Sequence, residues 1–357
     1  MAKASKKAKI IAAILASVTG VAGISGTMVA SGILAYEAFF PRFNRPDYAV
    51  TPGVYCYDRI SHKLNREEFF YQSKDAKLKG YYYESEEKKG LVVLAHGFKS
   101  GADDYLPLIA YIVESGYNVF TYNCTGVYES EGDGMIGMCQ SLVDLDYTLK
   151  FIEKEEKYSS QPLFLIGHSW GGYAVTAVLE FHKQVKACVA IAPMNNGSTI
   201  MLEKGKEYAG PLALTPTPIF TTYQKILFKK YSKSSGVKGI NSTTAPVLIA
   251  HGIDDKVITY TEQSIVAHKK EITNPNVIYY DGYGANGDHV GIWHSEKSFL
   301  YQMEVESRLK EKENQKGSAL TYEEKVEFYK TVDHERYSEV NPVLGQMIKD
   351  LFDAQIS

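Results

Sequence analysis

The sequence predicts an α/β protein built on a mostly parallel sheet covered by helices on both faces, with a helical cap inserted late in the sheet. Three observations predict it. Short apolar runs beginning near Leu91, Asn118, Leu163, Val185, Pro246 and Asn276 read as buried strands, and helical patterns such as 104–115 and 141–155 separate them. Runs this continuous suit parallel strands buried on both faces. Two earlier runs, 67–73 and 78–84, are joined by Lys74-Asp75-Ala76-Lys77 and read as an antiparallel edge. Finally, Gly167-His168-Ser169-Trp170-Gly171 lies between an apolar run and the helical pattern 173–182, so a serine occupies a strand-to-helix turn.

Composition bounds the rest. A chain of 357 residues that is 45% hydrophobic can bury one large core plus appendages. Its net charge of −3 provides no basic footprint for nucleic acid. The cysteines Cys56, Cys124, Cys139 and Cys188 are too few for a disulfide scaffold and form no C-x-x-C pair. Cys188, in the run 187–191, reads as a small buried hydrophobe, and a Cys124–Cys139 pairing is left open. No zinc-type spacing and no Walker-type phosphate loop occur, so neither a metal nor an organic cofactor is expected.

The first residues bear on location. Lys3, Lys6, Lys7 and Lys9 lie in a basic segment 1–9, ahead of the uncharged stretch 10–36. That stretch exceeds the roughly 7–15 apolar residues of a signal-peptide core and is long enough to span a bilayer. It reads as a transmembrane signal anchor. Four lysines before it against Arg42 and Arg45 after it predict a single-pass protein of the cell membrane with its domain on the extracytoplasmic side. Gly20, Gly23, Gly26 and Gly32 lower the hydrophobicity, and the alternative is a cleaved signal peptide and a secreted protein. Residues 37–64, with Pro41, Pro46 and Pro52, form an irregular connector.

The turn at Ser169 is a nucleophile elbow, too sharp and too close to neighbouring backbone for side chains at Gly167 and Gly171. Upstream, the run 91–95 ends in His96-Gly97-Phe98, where a backbone N–H can face a developing oxyanion. The donors in this arrangement are the N–H groups of Phe98 and Trp170, and the His96 side chain reads as a pin for the loop. After the serine, the run 246–251 passes into Gly252-Ile253-Asp254-Asp255, which offers two carboxylates at a strand end. A further run, 276–281, leads through a glycine-rich loop to Asp288-His289. His289 is the expected base because it stands just before the helix opened by Ser295, whereas His294, at the mouth of that helix, reads as solvated or capping.

With these motifs, residues 65–310 resemble the α/β-hydrolase superfamily, specifically the lipase-, esterase- and acylaminopeptidase-like serine hydrolases. The resemblance implies a Ser-Asp-His triad acting through an acyl-enzyme, with neutral His289 taking the Ser169 proton and an aspartate fixing the imidazole tautomer. The family's His-Gly-x-x-Asp-x-x-Val motif places Asp255 in the triad, with the valine spacing one short, and Asp254 is the runner-up. Where many relatives carry Asp-x-Arg-Gly-x-Gly-x-Ser, this chain reads Asn123-Cys124-Thr125-Gly126-Val127-Tyr128-Glu129-Ser130-Glu131-Gly132, so substrate inferences from close relatives do not transfer. A dehalogenase of this fold requires Asp where Ser169 stands.

Roughly fifty residues separate the strand runs on either side of the cap, 195–243, too many for a simple crossover. They combine Tyr208, Phe220, Tyr223, Phe228 and Tyr231 with Lys204, Lys206, Lys225, Lys229, Lys230, Lys233 and Lys238, against Glu203 and Glu207. The plain reading packs the aromatics on the core and solvates the lysines. The sharper one is an apolar acyl pocket beneath a basic rim that meets anionic headgroups. Residues 311–357 form a helical extension: a charged stretch, 310–316, leads to the capping box Thr321-Tyr322-Glu323-Glu324, and a second helical pattern, 342–354, has apolar positions suited to docking on the domain. Three functions compete. The first is hydrolysis of a small-molecule carboxylic ester such as an acylglycerol or lysophospholipid, the second a peptidase or amidase reaction, and the third a catalytically silent binding protein. An intact Ser169, His289 and aspartate pair argue against the third; the oligomeric state is not legible.

Overall fold

A computed structural model describes residues 26–197, 199–201 and 217–356. Its eight strands are β1 (Arg66–Gln72), β2 (Lys77–Tyr83), β3 (Leu91–Ala95), β4 (Asn118–Tyr122), β5 (Leu163–His168), β6 (Val185–Ile191), β7 (Val247–Gly252) and β8 (Val277–Gly282). They form one sheet in the order β1-β2-β4-β3-β5-β6-β7-β8. β2 pairs antiparallel with both β1 and β4, and every other pairing is parallel. Each strand begins within one residue of its expected position, and for the central strands β3 to β7 the reason is that a strand buried on both faces must be apolar along nearly its whole length.

The alternation of the pleat divides the core. Leu91, Val93 and Ala95 face one apolar cluster with Leu165 and Trp170, while Val92 and Leu94 face the other with Phe164 and Ile166. Helix α3 (Gln140–Ile152) and α4 (Trp170–Ala177) cover the first face. The second is covered by α2 (Leu106–Glu114) and, as the apolar positions of the extension predict, by the C-terminal α9 (Pro342–Asp353).

The N-terminal helix corrects the reading of an anchor over 10–36. Helix α1 (Gly26–Ala38) places Val29, Ile33 and Tyr36 on one face, and all three are buried against the domain. Its partner is the cap helix α5 (Thr217–Phe228): the Tyr36 ring lies 5.6 Å from Phe220 and 5.3 Å from Tyr223, and the Tyr223 hydroxyl donates to Glu37 at 2.8 Å. Residues 26–36 are therefore committed to protein rather than lipid. No helix among the described residues is long and apolar enough to cross a membrane. The remainder of that reading, 10–25, and the basic segment 1–9 lie outside the described residues.

The described part of the cap consists of α5, a single turn at Lys229–Lys233, and the short α6 (Gly236–Ile240); residues 202–216 lie outside the described residues. Tyr223, Phe228 and Tyr231 are buried. Two of the lysines are not simply solvated. The Lys230 ammonium sits 4.3 Å from the Phe181 ring centre and Lys238 pairs with Glu180 at 2.6 Å.

At the other end, α7 (Glu296–Lys316) runs straight through the charged stretch 310–316 and across the expected boundary at residue 310. It stops at Gly317, whose left-handed φ of 75° closes the last turn. The capping box forms as expected and opens α8 (Tyr322–Tyr329). In α9, Leu344, Ile348, Leu351 and Phe352 are buried, with the Phe352 ring 4.6 Å from Phe164 and 5.6 Å from Tyr117. We expect Phe352→Ala to lower stability by about 3–5 kcal/mol, read from the denaturant midpoint, because the cavity opens against a central strand. A loss below about 1 kcal/mol would show α9 to be peripheral. All four cysteines are free, which answers the Cys124–Cys139 question.

Candidate active site

At the junction of β5 and α4, Ser169 holds φ 55° and ψ −111°, an arrangement a non-glycine residue adopts only under strain. The surroundings enforce it. A Cβ on Gly167 would stand 2.3 Å from the Gly171 carbonyl oxygen, and one on Gly171 would stand 2.0 Å from that of Ala95. Both glycines are thus required by close backbone approach, and the serine is held at the carboxyl end of the central strand.

The loop after β3 is pinned as its sequence suggests. His96 is fully buried, its Nδ1–H donates to the Gly97 carbonyl at 2.7 Å, and its Nε2 accepts the Cys124 N–H at 2.9 Å. Burial lowers the His96 pKa to about 4, so the ring stays neutral and structural. The Gly97 N–H is committed to the Tyr105 hydroxyl at 3.0 Å. The next N–H along is that of Phe98. Trp170 opens α4, where an N–H has no acceptor within its own helix and the positive end of the helix dipole favours an anion. The Phe98 and Trp170 rings meet edge to face at 5.6 Å, which holds together the two segments expected to supply the donors.

Asp255 and His289, the expected acid and base, stand in the loops that follow β7 and β8. Asp255 is buried: its Oδ1 accepts the N–H groups of Val257 and Ile258 at 2.8 and 2.9 Å, and its Oδ2 accepts the His289 Nδ1–H at 2.6 Å. Burial alone would raise this carboxyl, but hydrogen bonds from His251 and His289 hold it well below the usual carboxylate range. Asp254 is exposed, with its carboxylate beside Gly287. Buried Ile258 takes the apolar place three residues after Asp255, so the family pattern is met by a different β-branched residue.

His294 departs from expectation. It is fully buried rather than solvated, its ring packs 3.9 Å from that of Trp293, and burial lowers its pKa to about 4. Capping of α7 falls to Ser295, whose side chain accepts the Ser298 N–H at 3.0 Å. Sequence reasoning also missed His251, whose Nε2 lies 3.2 Å from Asp255 Oδ2, and the contacts of His168 with Tyr105 and the His289 carbonyl. His168 is visible inside the pentapeptide, but nothing local shows its partners. Among the described residues, no group of three or more His, Cys, Asp or Glu side chains could hold a metal ion.

The strand order, the antiparallel second strand and the serine at the turn after β5 define an α/β-hydrolase fold. Residues 86–237 match the family model described as serine aminopeptidase, S33 (Hydrolase_4), a span that holds the elbow and the loop after β3 but ends before Asp255 and His289. The uncharacterized protein YfhR of Salmonella typhi is 24% identical over 227 residues, covering 59% of this chain and 68% of its own length. Its Salmonella typhimurium counterpart matches to the same extent. Among solved structures, the esterase Pf2001 of Pyrococcus furiosus superposes with a TM-score of 0.53 at 21% identity, covering 77% of this chain and 98% of that one, a likeness of fold.

Proposed function

We propose that the protein is a serine hydrolase of small carboxylic esters, with Ser169 as nucleophile, His289 as base and Asp255 as its orienting carboxylate. The observation that carries this reading is the buried Asp255–His289 hydrogen bond in a fold whose strained elbow presents Ser169. With Nδ1–H bound to Asp255, the His289 Nε2 is the basic nitrogen and takes the Ser169 proton as Oγ attacks the acyl carbon. The oxyanion that forms is met by the N–H groups of Phe98 and Trp170, and Asp255 stabilises the imidazolium. His289 then returns the proton to the leaving alcohol, and water, deprotonated by the same nitrogen, releases the acid.

The choice of ester over peptide rests on the apolar side chains at the elbow, where Phe40 packs 5.7 Å from Phe98 and Phe98 in turn meets Trp170. A peptidase reading draws on the serine aminopeptidase description of the matched family. Purified protein assayed on p-nitrophenyl esters of increasing chain length and on amino-acid anilides separates the two. We expect kcat/KM for the best ester to exceed that for the best anilide by at least about tenfold, a transition-state difference near 1.4 kcal/mol. A reversed order would favour the peptidase.

Attachment to the membrane is proposed from the sequence alone. Residues 10–25 are uncharged and follow four lysines, and with α1 docked on the cap they are what remains for an anchor. The expected result is a full-length protein that resists high-salt washing of membranes and leaves them only in detergent. Release by salt alone would refute an apolar anchor.

A further inference from the structure

A polar chain behind the elbow joins the loop after β3 to the loop carrying the base. The Gly97 N–H donates to the Tyr105 oxygen at 3.0 Å, Tyr105 Oη lies 2.8 Å from His168 Nδ1, and His168 Nε2 lies 3.0 Å from the backbone carbonyl of His289. A carbonyl only accepts, so the proton of the neutral imidazole is on Nε2. Nδ1 is then an acceptor, and the Tyr105 O–H is its donor. Since that hydroxyl spends its proton on His168, its oxygen is the acceptor for Gly97. One arrangement of protons satisfies every member.

Both side chains are well buried, at 4% exposure for Tyr105 and 7% for His168, and the Tyr105 ring stacks on Trp293 at 5.6 Å. Burial lowers His168 to about 3, which keeps the ring neutral throughout the working range. An apolar residue at 168 would fill the space but leave the proton of the buried Tyr105 hydroxyl without its acceptor and the His289 carbonyl without this donor.

We propose that His168 is a positioning residue, which together with Tyr105 locks the Phe98 segment to the backbone of His289 across the residue preceding the nucleophile. The proposal rests on the functional reading above. Its effect is geometric: the Phe98 N–H and the His289 imidazole must converge on one substrate atom, and a displacement of about 1 Å at either can cost on the order of a hundredfold. A lock joining their loops removes that freedom before substrate arrives.

The test compares His168→Ala, His168→Gln and Tyr105→Phe with the wild type. His168→Ala should reduce kcat by about 10- to 100-fold while KM for a short p-nitrophenyl ester stays within about twofold, since neither residue meets the substrate. Tyr105→Phe, which keeps the ring and its stacking, should reduce kcat by roughly fivefold, and His168→Gln, whose amide can donate to the carbonyl, should recover most of the loss. Combining Tyr105→Phe with His168→Ala should cost no more than about twofold beyond His168→Ala alone, because both break one chain. A readout without turnover is amide hydrogen exchange, expected to quicken in Tyr105→Phe at Gly97 and around His289 together. Wild-type kcat and exchange in both Tyr105→Phe and His168→Ala, or additive losses in the double variant, would overturn the lock. If Ser169→Ala retains hydrolysis, the functional reading fails by itself, and exchange at the two loops still decides whether the lock exists.

Discussion

Ser169→Ala is expected to lower hydrolysis of a p-nitrophenyl ester by at least about a thousandfold, because members of a triad act as a unit and no other group substitutes for the attacking oxygen. The fold should survive. The backbone at Ser169 is already paired, its N–H with the Ile191 carbonyl at 2.8 Å and its carbonyl with the Tyr173 N–H at 3.0 Å, so the elbow does not depend on the hydroxyl. Alanine and serine carry the same Cβ and meet the φ of 55° at similar strain. An unchanged thermal midpoint beside lost turnover, and lost labelling by a fluorophosphonate, is the expected pair of measurements. Turnover within tenfold of wild type would remove Ser169 from the mechanism.

His289→Ala should resemble Ser169→Ala, and Asp255→Asn should fall nearly as far, by roughly a thousandfold or more. The reason lies in the hydrogen bonds of Asp255. An asparagine oriented to keep the Val257 and Ile258 N–H bonds turns its amide nitrogen, a donor, toward His289, which then presents the wrong tautomer to Ser169. Asp254→Asn should stay within about twofold, since that carboxylate is exposed and points elsewhere. Steady-state kcat for the two asparagine variants separates the carboxylates directly; equal losses would mean that Asp255 does not act through the imidazole. His294→Ala serves as a contrast. Its ring is buried against Trp293, so it should lower the unfolding midpoint while the folded fraction keeps most of its kcat.

Much of the fold was legible because its signals are local. A strand covered on both faces must be apolar along its whole length, and this located β3 to β7 within a residue. The elbow was legible for a related reason: Gly167 and Gly171 are demanded by backbone approach within one turn of Ser169. The capping box at Thr321 likewise needs only four consecutive residues.

The misreadings share a different cause. An uncharged stretch suits a bilayer and a protein interior equally well, so the destination of α1 was set by α5, about 190 residues later in the chain, rather than by its own composition. His294 reads as solvated or capping because part of its enclosure comes from the segment at Glu339 and Val340, about 45 residues later in the chain.

The sequence by itself determined the sheet, the serine at its turn and the set of histidines and carboxylates able to serve it, since each is written in residues adjacent in the chain. Only the tertiary structure decided which of two neighbouring aspartates turns toward His289, which lies 34 residues away, and that His168 reaches partners 63 and 121 residues distant. Hydrogen bonds are made within about 3 Å in space, and a chain that returns repeatedly to one edge of a sheet brings together groups whose separation in sequence carries no trace of that proximity.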